Sequence, residues 1–132
     1  MRAIIVAASL IGLLLVAAGA GGGHGVVPAE ALARWQSAFI YGFVHTLAAI
    51  VAASMPYRHT LQFVAAWSFV LSVVLFSGVQ IAKIMLGGIA MSPTPFDQVG
   101  FLVPAGGVAF IMGWLMLGLS ALMSRRRNRF ED

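Results

Sequence analysis

Four long apolar runs, separated by short polar stretches, make up most of the chain: Ala3 to Ala20, Trp35 to Ala53, Leu61 to Ala82 and Gly100 to Met123. Each is as long as the roughly 17–25 apolar residues that a helix needs to cross a hydrocarbon core. The stretches between them, "GGGHGVVPAEALAR", "SMPYRHT" and "KIMLGGIAMSPTPFDQV", each contain Pro or Gly and together carry charges, as turns do. Pro28 and Glu30 suit a first helical turn, so the second helix is expected to begin ahead of Trp35. The pattern predicts one all-α domain, an integral membrane bundle of four transmembrane helices. They cover about residues 3–20, 30–53, 61–83 and 100–123, and a basic tail follows at 124–132.

Composition makes the membrane reading firm. Hydrophobic residues are 61% of the 132 and charged residues only 9%, against about 25% charged in a soluble domain. Too little polar surface exists to coat a water-soluble globule. Cysteine is absent, which removes disulfides, thiolate metal sites and thiol nucleophiles together.

The net charge of +4 does not point to nucleic acid, because the basic residues cluster in "RRRNR" at Arg125, Arg126, Arg127 and Arg129. Beside an apolar helix, such a cluster reads as an anchor on anionic lipid headgroups. With a cytoplasmic N-terminus, Arg2, Arg58 and those four arginines lie inside, while Arg34 and Lys83 lie outside. The positive-inside rule therefore places both termini in the cytoplasm and the "GAGGGHG" turn, residues 19–25, on the outer side. Arg2 and "AAGA" also resemble a secretory signal peptide, whose cleavage would leave three helices in the same orientation. Four uncleaved helices are the expectation.

Candidate chemistry is sparse. The four acids, Glu30, Asp97, Glu131 and Asp132, all fall outside the apolar runs. A proton-driven transporter would need a carboxylate or similar relay at membrane depth. His45 is the ionisable residue deep in a run, and Ser37, Tyr41 and His45 share one helix face at i, i+4, i+8. On the third helix Ser72, Ser77 and Gln80 could meet them in a polar seam between helices 2 and 3. Such a seam either holds the helices together or offers Tyr41 and His45 as donors to a quinone carbonyl or lipid headgroup.

Haem is disfavoured, since His24 at the turn and His45 well below it do not straddle one iron. Zinc fails because His59 lies on the opposite side. No G-x-S-x-G context supports a Ser–His hydrolase. No cofactor, metal or catalytic residue is expected. Lys83 is read as snorkelling to headgroups and Trp35 as an interfacial anchor.

The glycines have a structural reading. Gly19 and Gly22 allow close helix approach at the outer turn, and His24 can satisfy orphan helix-end carbonyls there. Small residues at Ala8/Gly12, Gly19/Gly23 and Ala38/Gly42 have the spacing of tightly packed membrane helices. Gly78, Gly106, Gly107 and Gly113 are further candidates for helix packing.

"GAGGGHG", "WQSAFIYGFVHTLA" at 35–48, "LFSG" at 75–78 and "PAGGVAFIMGW" at 104–114 occur in that order. Together they resemble the YgdD-like family of small bacterial inner-membrane proteins, related to eukaryotic transmembrane protein 256. The family pattern matches at Gly19, Ala20, Gly22, His24, Trp35, Tyr41, His45, Ser77, Gly78, Pro104, Gly107, Gly113 and Trp114. It departs at Gly21 and Gly23, where relatives tend to have Phe and Ala, at Val79, Gln80 and Ile81 after "LFSG", and in a longer third loop. The resemblance implies four transmembrane helices in an inner membrane and no established activity. The functional expectation is a non-catalytic accessory or scaffold protein, packing against itself as a homo-oligomer or against a larger membrane complex. The alternative is a binder or carrier of a quinone or lipid at the His45–Tyr41 seam.

Overall fold

The computed structural model describes residues 1–22, 27–56, 60–87 and 93–127, with side chains through residue 124. His24, Arg58, His59, Arg129 and the side chains of Arg125, Arg126 and Arg127 lie outside the described residues. Four helices are long and apolar enough to cross a membrane, and no strand occurs among the described residues. Helix α1 spans Arg2–Gly22. A 3-10 turn at Ala29–Ala31 leads into α2, Leu32–Ser54, so the second helix does begin ahead of Trp35. Helix α3 runs through Thr60–Gly87, and α4 covers Leu102–Arg127. The third helix thus extends one turn past the expected end at residue 83.

Burial ranks the helices. In α2 and α3, 44% of the apolar span is buried inside the protein, against 17% in α1 and α4. Helix α1 packs on α2, α2 on α3, and α3 on α4, so α2 and α3 form the centre and the other two are flanks. The core is small and tight: Ala8, Ala38, Ala49, Ala52, Ala65 and Ala66 are fully buried around Phe69 and Ile4. Small side chains let helix backbones approach, which is the packing available where lipid removes any hydrophobic drive between helices.

Glycines mark where the approach is closest. A Cβ on Gly22 would overlap the Trp35 ring, and one on Gly19 would lie 3.1 Å from Phe39 Cε1. The glycine-rich end of α1 therefore receives two aromatic rings of α2, tilted by 47° to each other with centroids 4.7 Å apart. Trp35 is only 8% exposed, so it is a packing residue against α1 and not the lipid-facing anchor its position suggested. Likewise a Cβ on Gly106 would sit 2.7 Å from the Phe76 backbone nitrogen, and one on Gly113 would sit 2.6 Å from Phe69 Cε1. These two positions put α4 antiparallel against α3.

Gly107, by contrast, meets nothing within 4 Å among the described residues, so it is not a packing position against them. Gly78 approaches only its own helix, at the Val73 carbonyl. It closes a π-helical turn, Val74–Gly78, that interrupts α3. A π turn inserts extra backbone into a helix and often lies at a functional position. Here it accommodates Gly106 at Phe76 and turns Ser77 inward against Gly42 of α2.

Candidate functional site

His45 sits at the meeting point of α2, α3 and α4 and is 5% exposed. Its Nδ1 lies 2.8 Å from the Tyr41 carbonyl oxygen one turn earlier. A carbonyl can only accept, so Nδ1 carries the proton and donates. On the other side the Trp114 indole donates through Nε1 to His45 Nε2 at 3.1 Å. An indole can only donate, so Nε2 is the bare nitrogen. The two bonds together define one neutral tautomer with both ring nitrogens occupied by protein.

Aromatic rings enclose the imidazole. Phe110 stacks on it with centroids 3.7 Å apart and planes inclined by 26°. Phe69 and Tyr41 follow at 5.7 and 5.8 Å. Phe76 closes the group, 5.1 Å from Tyr41 and 5.6 Å from Phe110. The imidazole therefore ties three helices through two hydrogen bonds and an aromatic shell. It offers no lone pair or proton to an incoming molecule in this arrangement.

The expected partners on α3 are elsewhere. Ser72 Oγ donates to the Ser68 carbonyl at 2.5 Å within its own helix. Ser77 Oγ is fully buried at the π turn and has no hydrogen-bond partner among the described residues. Gln80 Nε2 donates to the Phe76 carbonyl at 3.2 Å, and the side chain lines a cleft at the end of the bundle. The seam that forms around His45 is thus made by α4, through Phe110 and Trp114. Aromatic side chains in an apolar run carry no sequence mark that separates a hydrogen-bonding indole from a lipid-facing one. The stretch "PAGGVAFIMGW" at 104–114 contains both residues, and Trp114 is among the positions that match the family pattern.

Two more polar groups are spent on structure. Gln62, fully buried, donates through Nε2 to the Ala52 and Met55 carbonyls at 2.6 and 2.9 Å. It thereby caps the C-terminal end of α2, where carbonyls lack partners within the helix. Lys83 Nζ pairs with Asp97 Oδ1 at 2.7 Å, so this lysine is held by the α3–α4 connection and does not simply reach for headgroups. Among the described residues, no group of three or more His, Asp or Glu side chains could hold a metal ion.

Comparison with known proteins adds a family context. Residues 18–107 match the model described as "Protein of unknown function (DUF423)". The UPF0382 membrane protein YwdK of Bacillus subtilis is 30% identical, covering 92% of this chain and 98% of its own length. The UPF0382 inner membrane protein YgdD of Escherichia coli K12 is 32% identical, over 96% of this chain and 95% of its own. A UPF0382 membrane protein of Staphylococcus saprophyticus is 31% identical over 89% of this chain and 94% of its own. No solved structure matches the chain significantly.

Proposed function

Since the chain belongs to the DUF423 family of membrane proteins of unknown function, we propose a role for it from its packing: a non-catalytic accessory or scaffold protein of the inner membrane. It associates with itself or with a larger membrane complex through the outer face of α4. The observation that carries this reading is a contrast along one helix. Gly106 and Gly113 are filled by α3, whereas Gly107 and Gly118 meet nothing within 4 Å among the described residues. Eleven residues are three helical turns, so Gly107 and Gly118 share a face, and Ile111 beside them is 68% exposed. Glycine costs a helix about 0.5–1 kcal/mol relative to alanine. Two on an open face are unhelpful to this fold alone, and they suit a second helix that packs closely there. The occupied nitrogens of His45 favour a structural polar centre over a relay or a catalytic base.

Native mass spectrometry of the protein, extracted with its lipid in a membrane-solubilising polymer, tests the proposal. Association at fixed stoichiometry that disappears in Gly107→Leu and Gly118→Leu, with helicity retained, is the expected result. An unchanged oligomer and unchanged complex in both variants would overturn it.

A second reading, binding or carriage of an apolar molecule such as a quinone or lipid, is favoured by a different place from His45. A groove of about 320 Å³ between α1 and α3 is lined by Ile11, Leu14, Leu15, Val73, Val74 and Ile81 and is almost wholly apolar. Its test is a quinone or lipid retained by the native protein and lost when Ala18, which also borders the groove, is replaced by Phe.

A further inference from the structure

At the end of the bundle where α2 begins and α3 ends, a cleft of about 220 Å³ opens between Arg34, Gln80, Lys83, Thr94, Asp97 and Gly100. Its volume is several times the about 30 Å³ that one water occupies in the liquid. We propose that this cleft binds a phosphate oxyanion, supplied either by the headgroup of an anionic phospholipid or by free phosphate.

The valences in the cleft are unequal. Both oxygens of the Asp97 carboxylate are engaged: Oδ1 accepts from Lys83 Nζ at 2.7 Å, and Oδ2 accepts from the Thr94 backbone N–H at 2.6 Å and the Thr94 hydroxyl at 3.2 Å. What remains unspent is donor capacity. An ammonium has three N–H groups, and one of those on Lys83 goes to Asp97. A guanidinium has five in a planar fork suited to phosphate, and Arg34 forms no ion pair among the described residues. Gln80 uses its amide nitrogen once, toward the Phe76 carbonyl, and keeps a second N–H. Two cations against one carboxylate leave a surplus of one positive charge.

Asp97 then acts as a positioning residue. It holds Lys83 at 2.7 Å across the connection between α3 and α4, in the cleft that Arg34 at the start of α2 also lines. Lys83 lies four residues before the end of α3. The cleft is therefore at the depth where a helix leaves the hydrocarbon core and meets the headgroup region. A phosphate there would be gripped by charge-assisted bonds from two helices.

The test uses the full chain in phosphatidylcholine bilayer discs with and without phosphatidylglycerol. Native mass spectrometry reads retained phosphatidylglycerol, and a melting curve reads the response to inorganic phosphate against chloride of equal ionic strength. Retention of phosphatidylglycerol that phosphate does not displace identifies a headgroup site. A rise in Tm with inorganic phosphate in pure phosphatidylcholine identifies a free-phosphate site. In either case Arg34→Gln should weaken binding about tenfold, the size of one charge-assisted hydrogen bond, and Arg34→Lys should restore part of it. Arg34 is exposed, so its replacement leaves the packing intact, and Lys83→Met supplies a second, independent loss. Absence of both retention and a phosphate-specific rise in the wild type would overturn the proposal. So would binding that Arg34→Gln and Lys83→Met both leave unchanged.

Discussion

Trp114 and His45, 69 residues apart in the chain, share the hydrogen bond that joins α4 directly to α2. Elsewhere α4 packs chiefly on α3. The indole is half exposed while the imidazole is buried, so the bond runs from the flank of the bundle to its centre.

Trp114→Phe keeps the ring that meets Phe69 at 5.0 Å and removes the donor, leaving His45 Nε2 buried without a partner. Interhelical hydrogen bonds in membranes average about 0.6 kcal/mol, but an orphaned buried acceptor costs about 1–3 kcal/mol. The expected loss is therefore about 1–2 kcal/mol in a detergent unfolding titration. A double-mutant cycle with His45→Phe should show coupling between the two positions. Additive losses would mean that the bond contributes nothing beyond ring packing.

The glycines of α4 give a second prediction, with opposite signs along one helix. Gly106→Ala places a methyl 2.7 Å from the Phe76 backbone, and Gly113→Ala places one 2.6 Å from a fully buried ring. Overpacking of this kind costs about 1–3 kcal/mol. Gly107→Ala and Gly118→Ala enter open space, so in isolated protein they should be neutral or stabilising by up to about 1 kcal/mol. Thermal melts of the four variants in one detergent decide the matter, and equal effects at all four would contradict the packing of α4 on α3.

Much of this architecture was legible in the sequence, because a run of apolar residues must satisfy its backbone internally and so becomes a helix. The family resemblance carried by "GAGGGHG", "LFSG" and "PAGGVAFIMGW" agrees with the relatives found. Tyr41 and His45 were placed on one face by spacing alone, and they do meet through the Tyr41 carbonyl. Which helix supplies the second partner was not legible. Hydropathy gives spans but no packing order, and Phe110 and Trp114 read as ordinary apolar residues. The π turn was hidden too, since Val74, Leu75 and Phe76 continue the apolar run and Ser77 and Gly78 are both ordinary residues inside a membrane helix, so nothing marks the extra backbone. Lys83 read as a free cation because its acid lies beyond a long connection, at Asp97.

Gln62 carries a third prediction. Its amide caps two carbonyls at the end of α2, and Gln62→Leu would preserve bulk while abandoning both. The expected cost is about 1–3 kcal/mol, with faster amide hydrogen exchange concentrated in the last turn of α2. Uniform acceleration across all helices, or none, would show that the cap does not hold that end.

The last prediction concerns pH at the α3–α4 connection. The hydrogen bond from Lys83, with those from Thr94, holds the Asp97 carboxyl below the usual carboxylate range. A carboxylate depressed on folding contributes its stabilisation above its unfolded pKa, about 3.9, and loses it as pH falls through the lower folded value. The Lys83–Asp97 link and the Thr94 turn should therefore be intact at neutral pH and release only in acid, below about pH 4. Carboxyl carbon NMR of selectively labelled Asp97 should show a titration midpoint below that reference in the wild type. In Lys83→Met the midpoint should move up toward it, with the remaining depression due to Thr94. An unshifted midpoint in Lys83→Met would show that the 2.7 Å ion pair does not govern this carboxylate.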